Sequence, residues 1–86
     1  MQRRWVVSPD YRAAISFLKE ARAGLGISQR ELARRLGKPP SFINKIEQLE
    51  RRLDILEFIA IAEAMGVKAD SLLGRLRTSL PEIITI

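Results

Sequence analysis

The chain contains no cysteine and no histidine. This absence excludes disulfides, thiolate and imidazole metal sites, cysteine nucleophiles and histidine-based catalytic triads together. The Asp and Glu residues are scattered, and no glycine-rich phosphate loop lies near them, so a carboxylate active site has no visible basis. We therefore predict that the protein is not an enzyme and that it uses no metal and no cofactor.

Long apolar runs are also missing. No run approaches the roughly 20 residues of a membrane-spanning helix, and the N-terminal stretch MQRRWVVSPDY lacks the apolar segment of a signal peptide. We expect a cytoplasmic protein that does not bind a membrane. With 86 residues, of which 47% are hydrophobic, the chain fits one small helical domain with a single core.

Positive charge is concentrated in the middle of the chain. The net charge is +5, and residues 28–52 hold seven Lys or Arg against three acids, whereas residues 53–86 hold three against five. A local excess of this kind is typical of a surface that faces a polyanion. A basic face that is merely solvated is the alternative that charge alone leaves open.

Helix-capping residues predict five short helices. Ser8 followed by Pro9 is a typical helix start, and Ser28 lies three residues before Glu31, as in a reciprocal capping box. Asp54 repeats that spacing with a glutamate three residues later. The predicted helices cover residues 9–24, 29–36, 40–48, 55–65 and 70–77. The apolar positions assigned to helix four are Ile55, Leu56, Ile59, Ala60, Ala62 and Met65.

The junction between helices two and three predicts a helix-turn-helix. Gly37 can end helix two in a left-handed conformation, and helices joined by so short a turn cross steeply, which lets the second enter a DNA major groove. Ala33 is small where the two helices must approach, and Ile43 and Ile46 supply the inward face of helix three. We predict a compact all-α bundle of five helices, with the motif at about residues 28–48 and short strand-like terminal arms.

The segments ISQRELARRLG, INKIE and IAIAEAMGVKADSLL resemble the lambda-repressor-like helix-turn-helix domains of phage repressors and bacterial Xre transcription regulators. The likeness runs from about residue 18 to residue 73. It implies a DNA-binding domain at residues 8–78, between an N-terminal arm at 1–7 and a C-terminal tail at 79–86. It also implies a sequence-specific regulator that binds a double-stranded DNA operator. We expect a repressor, with activation as the open alternative, that acts as a homodimer on an inverted repeat.

The resemblance further assigns roles to individual residues. It pairs Arg22, late in helix one, with Glu47, at the end of helix three, in a partly buried ion pair that fixes the recognition helix. The residues expected to contact base edges are Ser41, Phe42, Asn44 and Lys45. For phosphate contact it suggests Gln29, Arg51 and Arg52. The basic charge of the region adds Arg30, Arg34 and Lys38 to the residues expected to contact phosphates, although arginines on helix two, taken alone, more often only solubilise it. The residues expected to be structural are Arg22, Ala33, Gly37, Ile43, Ile46 and Glu47.

Three positions depart from the family pattern. Pro39 and Pro40 replace residues that usually donate hydrogen bonds, so base recognition should depend on the residues that follow. Leu49 stands where the family commonly has glycine.

Two of the expected base contacts have alternatives. Asn44 is expected to contact adenine or phosphate. Packing of Phe42 against the core is as good an interpretation as contact with a thymine methyl.

Two other functions remain open at this level. An antitoxin would use the same DNA-binding fold and bind its toxin through the apolar tail LPEIITI. A protein-interaction module would have kept the fold and lost DNA binding, and the two adjacent prolines are the best argument for it. Both alternatives include a protein partner.

Apolar residues are left over outside the five helices. They are Trp5, Val6, Val7, Leu80, Ile83, Ile84 and Ile86. Exposed strand-like segments pair readily with another chain, so we predict that these ends build the interface of the homodimer. Folding back onto the same chain is the alternative.

Overall fold

Five helices follow one another along residues 8–86, the part of the chain that the computed structural model describes. They are α1 (Pro9–Gly24), α2 (Gln29–Arg35), α3 (Ser41–Glu47), α4 (Ile55–Ala64) and α5 (Ala69–Ser79). Residues 8–86 contain no strand, and none of their helices has the length and apolar character needed to cross a membrane. The predicted all-α, five-helix class is confirmed. The predicted N-terminal arm, with Trp5, Val6 and Val7, lies outside the described residues.

Side-chain caps begin two of the helices as predicted. The Ser8 hydroxyl accepts a hydrogen bond from the Tyr11 backbone N–H, and Pro9 occupies the first position of α1. At α4 the Asp54 carboxylate accepts from the Glu57 backbone N–H while the Glu57 carboxylate accepts from the Asp54 backbone N–H. This reciprocal box satisfies two amides that the helix itself leaves unpaired.

The starts of α2 and α3 differ from the prediction in detail. Ser28 accepts from the Glu31 backbone N–H, but the Glu31 carboxylate accepts from Arg34 and Arg35, so only half of the predicted capping box forms. Pro40 is the residue before α3 and not its first helical residue. Its side chain has no hydrogen-bonding group, so α3 begins without a side-chain cap.

One hydrophobic core joins the five helices. The predicted inward residues Ala33, Ile43 and Ile46 are all buried, and Ala33 is completely inaccessible where α2 passes α3. The buried apolar residues of the core are Ile15, Leu18, Ile27, Leu32, Ala33, Ile43, Ile46, Ile61, Ala62, Met65, Leu72 and Leu76. This packing fixes which face of α3 points outward.

The apolar residues of α4 do not all face the core. Ile61 and Ala62 are buried, whereas Ile55 is 76%, Leu56 73% and Ile59 38% exposed. The α4 helix is apolar on most of its circumference, and only one side of it can pack against α2 and α5. The apolar positions listed for helix four thus divide between a buried side and an exposed side, and we call Ile55, Leu56 and Ile59 the outer α4 face.

The C-terminal tail turns back onto the start of α1. The Thr85 backbone N–H donates to Asp10 Oδ2 at 2.8 Å, and the Ser8 hydroxyl donates to the Thr85 carbonyl. The segment contains no strand, because its backbone pairs with these side chains and not with a neighbouring strand. Its isoleucines stay outside the core, and Ile83 is 83% exposed.

Leu49 ends α3 in an unusual backbone conformation. Its φ is +63°, in the left-handed region where a Cβ is crowded by the carbonyl that follows, and its side chain packs against the core. The glycine that the family commonly has here would adopt this φ without strain. The apolar contact of Leu49 thus offsets a backbone conformation that glycine would adopt more easily.

We predict that Leu49→Gly is more stable than Leu49→Ala by about 1 kcal/mol, because both lose the apolar contact but only alanine keeps the left-handed strain. Urea unfolding of the two variants measures the difference. At a residue with an ordinary negative φ, alanine gives a more stable protein than glycine. A Leu49→Ala variant whose free energy of unfolding equals or exceeds that of Leu49→Gly would therefore contradict the left-handed turn.

Candidate nucleic-acid interface

The turn between α2 and α3 presents α3 at the surface. Gly37 has a φ of +67°, which lets the chain leave α2 sharply, and α3 then packs its Ile43 and Ile46 side against α1 and α2. The opposite side of α3 exposes Ser41 and Lys45, and Gln48, the residue that follows α3, is exposed as well. Residues 41, 45 and 48 follow helical spacing, so the same pattern that identified Lys45 would also have identified Gln48, which the sequence analysis missed.

Asn44 and Phe42 flank this exposed side of α3. Asn44 is half-buried beside the first residue of α2, whose side chain it contacts. Phe42 packs against the core on the other flank, with Lys38 Nζ 5.5 Å and the Arg51 guanidinium 4.9 Å from its ring centroid. The geometry supports the packing interpretation of Phe42, whose face is covered by two cations.

The predicted ion pair between Arg22 and Glu47 is present and buried. Arg22 Nε lies 2.7 Å from Glu47 Oε2, and Arg22 Nη2 lies 3.0 Å from Glu47 Oε1. The two side chains are only 10% and 6% exposed. The remaining nitrogen, Arg22 Nη1, donates to the Ile27 carbonyl at 2.7 Å. The pair therefore joins α1, the turn before α2 and the last residue of α3.

Gln29 completes this network from the first position of α2. Its Nε2 donates to Glu47 Oε1 at 2.7 Å and to Asn44 Oδ1 at 3.3 Å. These two bonds use both hydrogens of the amide nitrogen. The resemblance assigned Gln29 to phosphate contact, but in this structure its side-chain donors face Glu47 and Asn44.

Arg51 is held by a carboxylate of α4. Its Nη2 and Nη1 lie 2.6 and 2.9 Å from the two oxygens of Glu57. These hydrogen bonds lower the pKa of Glu57 below its ordinary value of 4.5. Together with the contact to Phe42, they tie the loop after α3 to the start of α4. Arg51, expected to contact phosphate, thus has a clear structural task.

Glu31 holds the basic residues of α2 in a similar way. Arg34 and Arg35 both bond to its carboxylate at 2.7 to 2.8 Å, and these bonds lower the pKa of Glu31 to about 2, with Arg34 as the larger cause. Arg35 also donates to the Ala64 carbonyl at 3.0 Å, which links α2 to α4. Part of the basic charge of α2 is compensated locally.

Three of the residues expected to contact phosphate lie together. Arg30, Arg34 and Lys38 line an open groove of about 370 Å³ between α2 and the start of α3. Arg52 lies elsewhere, with its guanidinium 4.6 Å from the centroid of the Tyr11 ring. The structure thus gathers Arg30, Arg34 and Lys38 beside α3. Lys38 also lies near Arg51, since both cations contact the Phe42 ring, whereas Arg52 contacts Tyr11 of α1.

Comparison of the chain with known proteins identifies its family. Residues 18–72 match a helix-turn-helix family model. A solved structure, an XRE-family like protein from Pseudomonas syringae pv. tomato str. DC3000, is 44% identical, with a TM-score of 0.76 over 84% of this chain and 88% of that chain. The chain belongs to the Xre-type helix-turn-helix family. Among curated proteins there was no significant match.

The family membership confirms the predicted resemblance and identifies the protein as a DNA-binding regulator of the Xre type. The helix that the sequence predicts to enter the major groove is α3, and its polar side faces outward. In this Xre-type domain α3 has only seven residues, too few to be stable alone, so its position depends on the buried contacts of Glu47.

We predict that Glu47→Ala destabilises the domain by about 3 to 5 kcal/mol, because it leaves the buried Arg22 guanidinium without its carboxylate. The control is Glu50→Ala, which removes an exposed carboxylate three residues away and should change stability by less than about 0.5 kcal/mol. Thermal or urea unfolding measures both. Equal, small effects of the two variants would show that the pair does not hold α3.

Proposed function

We propose that this Xre-type protein is a sequence-specific repressor that places α3 in the major groove of its operator and occludes promoter DNA. The observation that carries the proposal is the exposed polar side of α3, held by a buried ion pair behind it. The side chains of a recognition helix can contact particular base edges only if the helix is held in a fixed position against the rest of the domain. The proposed location is the cytoplasm.

Base recognition in this proposal rests on the middle and end of α3. Pro39 and Pro40 offer no hydrogen-bond donor where the family usually has one. Lys45 is exposed and is the residue that we expect to donate to guanine, and Ser41 and Gln48 are exposed near it. Phosphate contacts come from the groove lined by Arg30, Arg34 and Lys38, with Arg52 in the loop after α3.

We further propose that the protein acts as a homodimer on an inverted repeat. One helix-turn-helix contacts only a few base pairs, which is too little to find one site among the roughly 10⁶ or more competing sites of a genome. Two recognition helices about 34 Å apart would contact successive turns of the same groove. The terminal ends were expected to build this contact, but the C-terminal tail folds back onto the start of α1. We therefore propose the outer α4 face for it, since this face is apolar, exposed and carried by a packed helix.

The exposed tail favours a second candidate, an antitoxin. Ile83 projects from a segment that only a few hydrogen bonds hold against α1, so a protein partner could take the tail with little loss of stability. An antitoxin would copurify with its toxin and lose it on deletion of residues 81–86. A protein-interaction module would bind neither operator nor random DNA in a titration.

We predict that Lys45→Ala reduces the discrimination between operator and random DNA by about 1 to 3 kcal/mol. Arg30→Ala should instead weaken binding to both DNAs equally and reduce the salt slope by about one, because it removes a phosphate contact. Arg51→Ala is less informative, since it would also release Glu57.

Fluorescence titrations at several salt concentrations measure both effects. Lys19→Ala removes the same charge from the exposed surface of α1, outside the helix-turn-helix, and should leave the salt slope unchanged. If Lys45→Ala weakened operator and random DNA equally, α3 would not recognise sequence through this residue.

We predict that Leu56→Glu converts the dimer to a monomer without unfolding it, because it places a charge in the proposed interface at a side chain that is exposed in the monomer. Leu25→Glu, at another exposed leucine, is the matched control and should remain a dimer. Sedimentation measures the mass, and deleting residues 81–86 separates the contribution of the tail. A Leu56→Glu protein that is still a dimer would exclude the outer α4 face.

A further inference from the structure

The buried network fixes the direction of every hydrogen bond in it. The Arg22 guanidinium can only donate, and the Glu47 carboxylate can only accept. The Gln29 atom that lies 2.7 Å from Glu47 Oε1 must therefore be its amide nitrogen, since an amide oxygen there would face another acceptor. The chemistry of the ion pair thus settles which way the Gln29 amide points.

The same reasoning extends by one step to Asn44. The second hydrogen of Gln29 Nε2 points at the Asn44 side chain, so the Asn44 atom 3.3 Å away must be its oxygen. The Asn44 oxygen therefore faces α2, and its NH₂ group faces away from α2, beside the exposed side of α3. Within residues 8–86 this NH₂ group makes no hydrogen bond, and it is not among the buried polar atoms without a partner, so it reaches solvent.

We propose that Asn44 acts only as a hydrogen-bond donor to a base and selects guanine, and that Gln29 is the positioning residue that sets this polarity. The inference rests on the proposed function and deepens it. An asparagine that recognises adenine must donate to N7 and accept from N6, whereas guanine offers two acceptors, N7 and O6. With its oxygen turned to α2, Asn44 suits guanine, and the expectation of an adenine contact is replaced.

The direction of the Asn44 amide has a large effect on base recognition because few other side chains at the start of α3 can donate. Pro39 and Pro40 cannot donate from the start of α3, so a larger share of base recognition falls on Asn44 and Lys45. Lys45 is also a donor without an acceptor. Because Asn44 and Lys45 both act as donors, we expect a half-site rich in guanine. We do not expect Asn44 to select adenine.

The first test is selection of binding sites from random duplexes by the wild-type protein and by Asn44→Ala. The base pair whose preference is lost in Asn44→Ala is the one that Asn44 contacts. We expect guanine there, favoured over adenine about tenfold or more. Replacing that guanine by 7-deazaguanine removes N7 and should weaken the wild type while leaving Asn44→Ala unaffected.

The second test separates positioning from general stability. Gln29→Met keeps the length of the side chain but removes its donors, so the Asn44 amide can turn and the guanine-to-adenine ratio at that pair should fall to near one. Gln29→Lys restores a donor and should restore the ratio. A purely structural role of Gln29 would weaken all sequences together and leave the ratio unchanged. If Gln29→Met does not fold, Gln29→Ala replaces it, with the same expectation.

The outcomes distinguish this inference from the function on which it rests. In the free protein, the Gln29 side-chain hydrogens should exchange slowly by NMR, and Asn44→Ala should speed their exchange. Adenine at the Asn44 pair, or an unchanged guanine ratio in a folded Gln29→Met, would overturn the inference while DNA binding stands. A wild-type protein that selects no sequence although the exchange effect is present would overturn the proposed function, and the base preference with it.

Discussion

The arrangement of the molecule depends on one buried carboxylate. Glu47 accepts two hydrogen bonds from Arg22 and one from Gln29, so the end of α3 is joined to α1 and α2 through charged and polar groups. A helix of seven residues has little stability of its own, and the apolar contacts of Ile43 and Ile46 restrict its rotation less than directional bonds do. Removing one partner would leave the other charged and buried, which is why the pair acts as a single unit.

A second support holds α3 from the opposite flank. Phe42 packs between the core and the cation of Arg51, and Arg51 is in turn bound by Glu57 at the start of α4. Arg51 thus serves to support α3. The domain therefore divides its polar residues between those that fix the recognition helix, among them Gln29 and Arg51, and those that stay exposed beside it, among them Arg30 and Lys45.

Local features could be predicted because they depend on neighbours in sequence. The caps at Ser8 and Asp54 and the burial of Ile43 follow from spacing alone, and the ion pair of Arg22 followed from the family resemblance. The outer α4 face could not be predicted, since a helix that is apolar nearly all round gives no single direction to its core. The return of the tail to Asp10 and the pairing of Arg51 with Glu57 depend on tertiary contacts, and a pattern of residue types does not choose among several nearby partners.

The central claim is that α3, held by Glu47, is the surface that meets DNA. An NMR titration of the labelled protein with a selected operator duplex tests it most directly. We expect the amide resonances of Arg30, Lys38 and residues 41–48 to shift on binding, while the Arg22 side-chain resonance keeps its position because the buried pair is intact. Shifts confined to α5 and the tail, with α3 unchanged at saturation, would contradict the account.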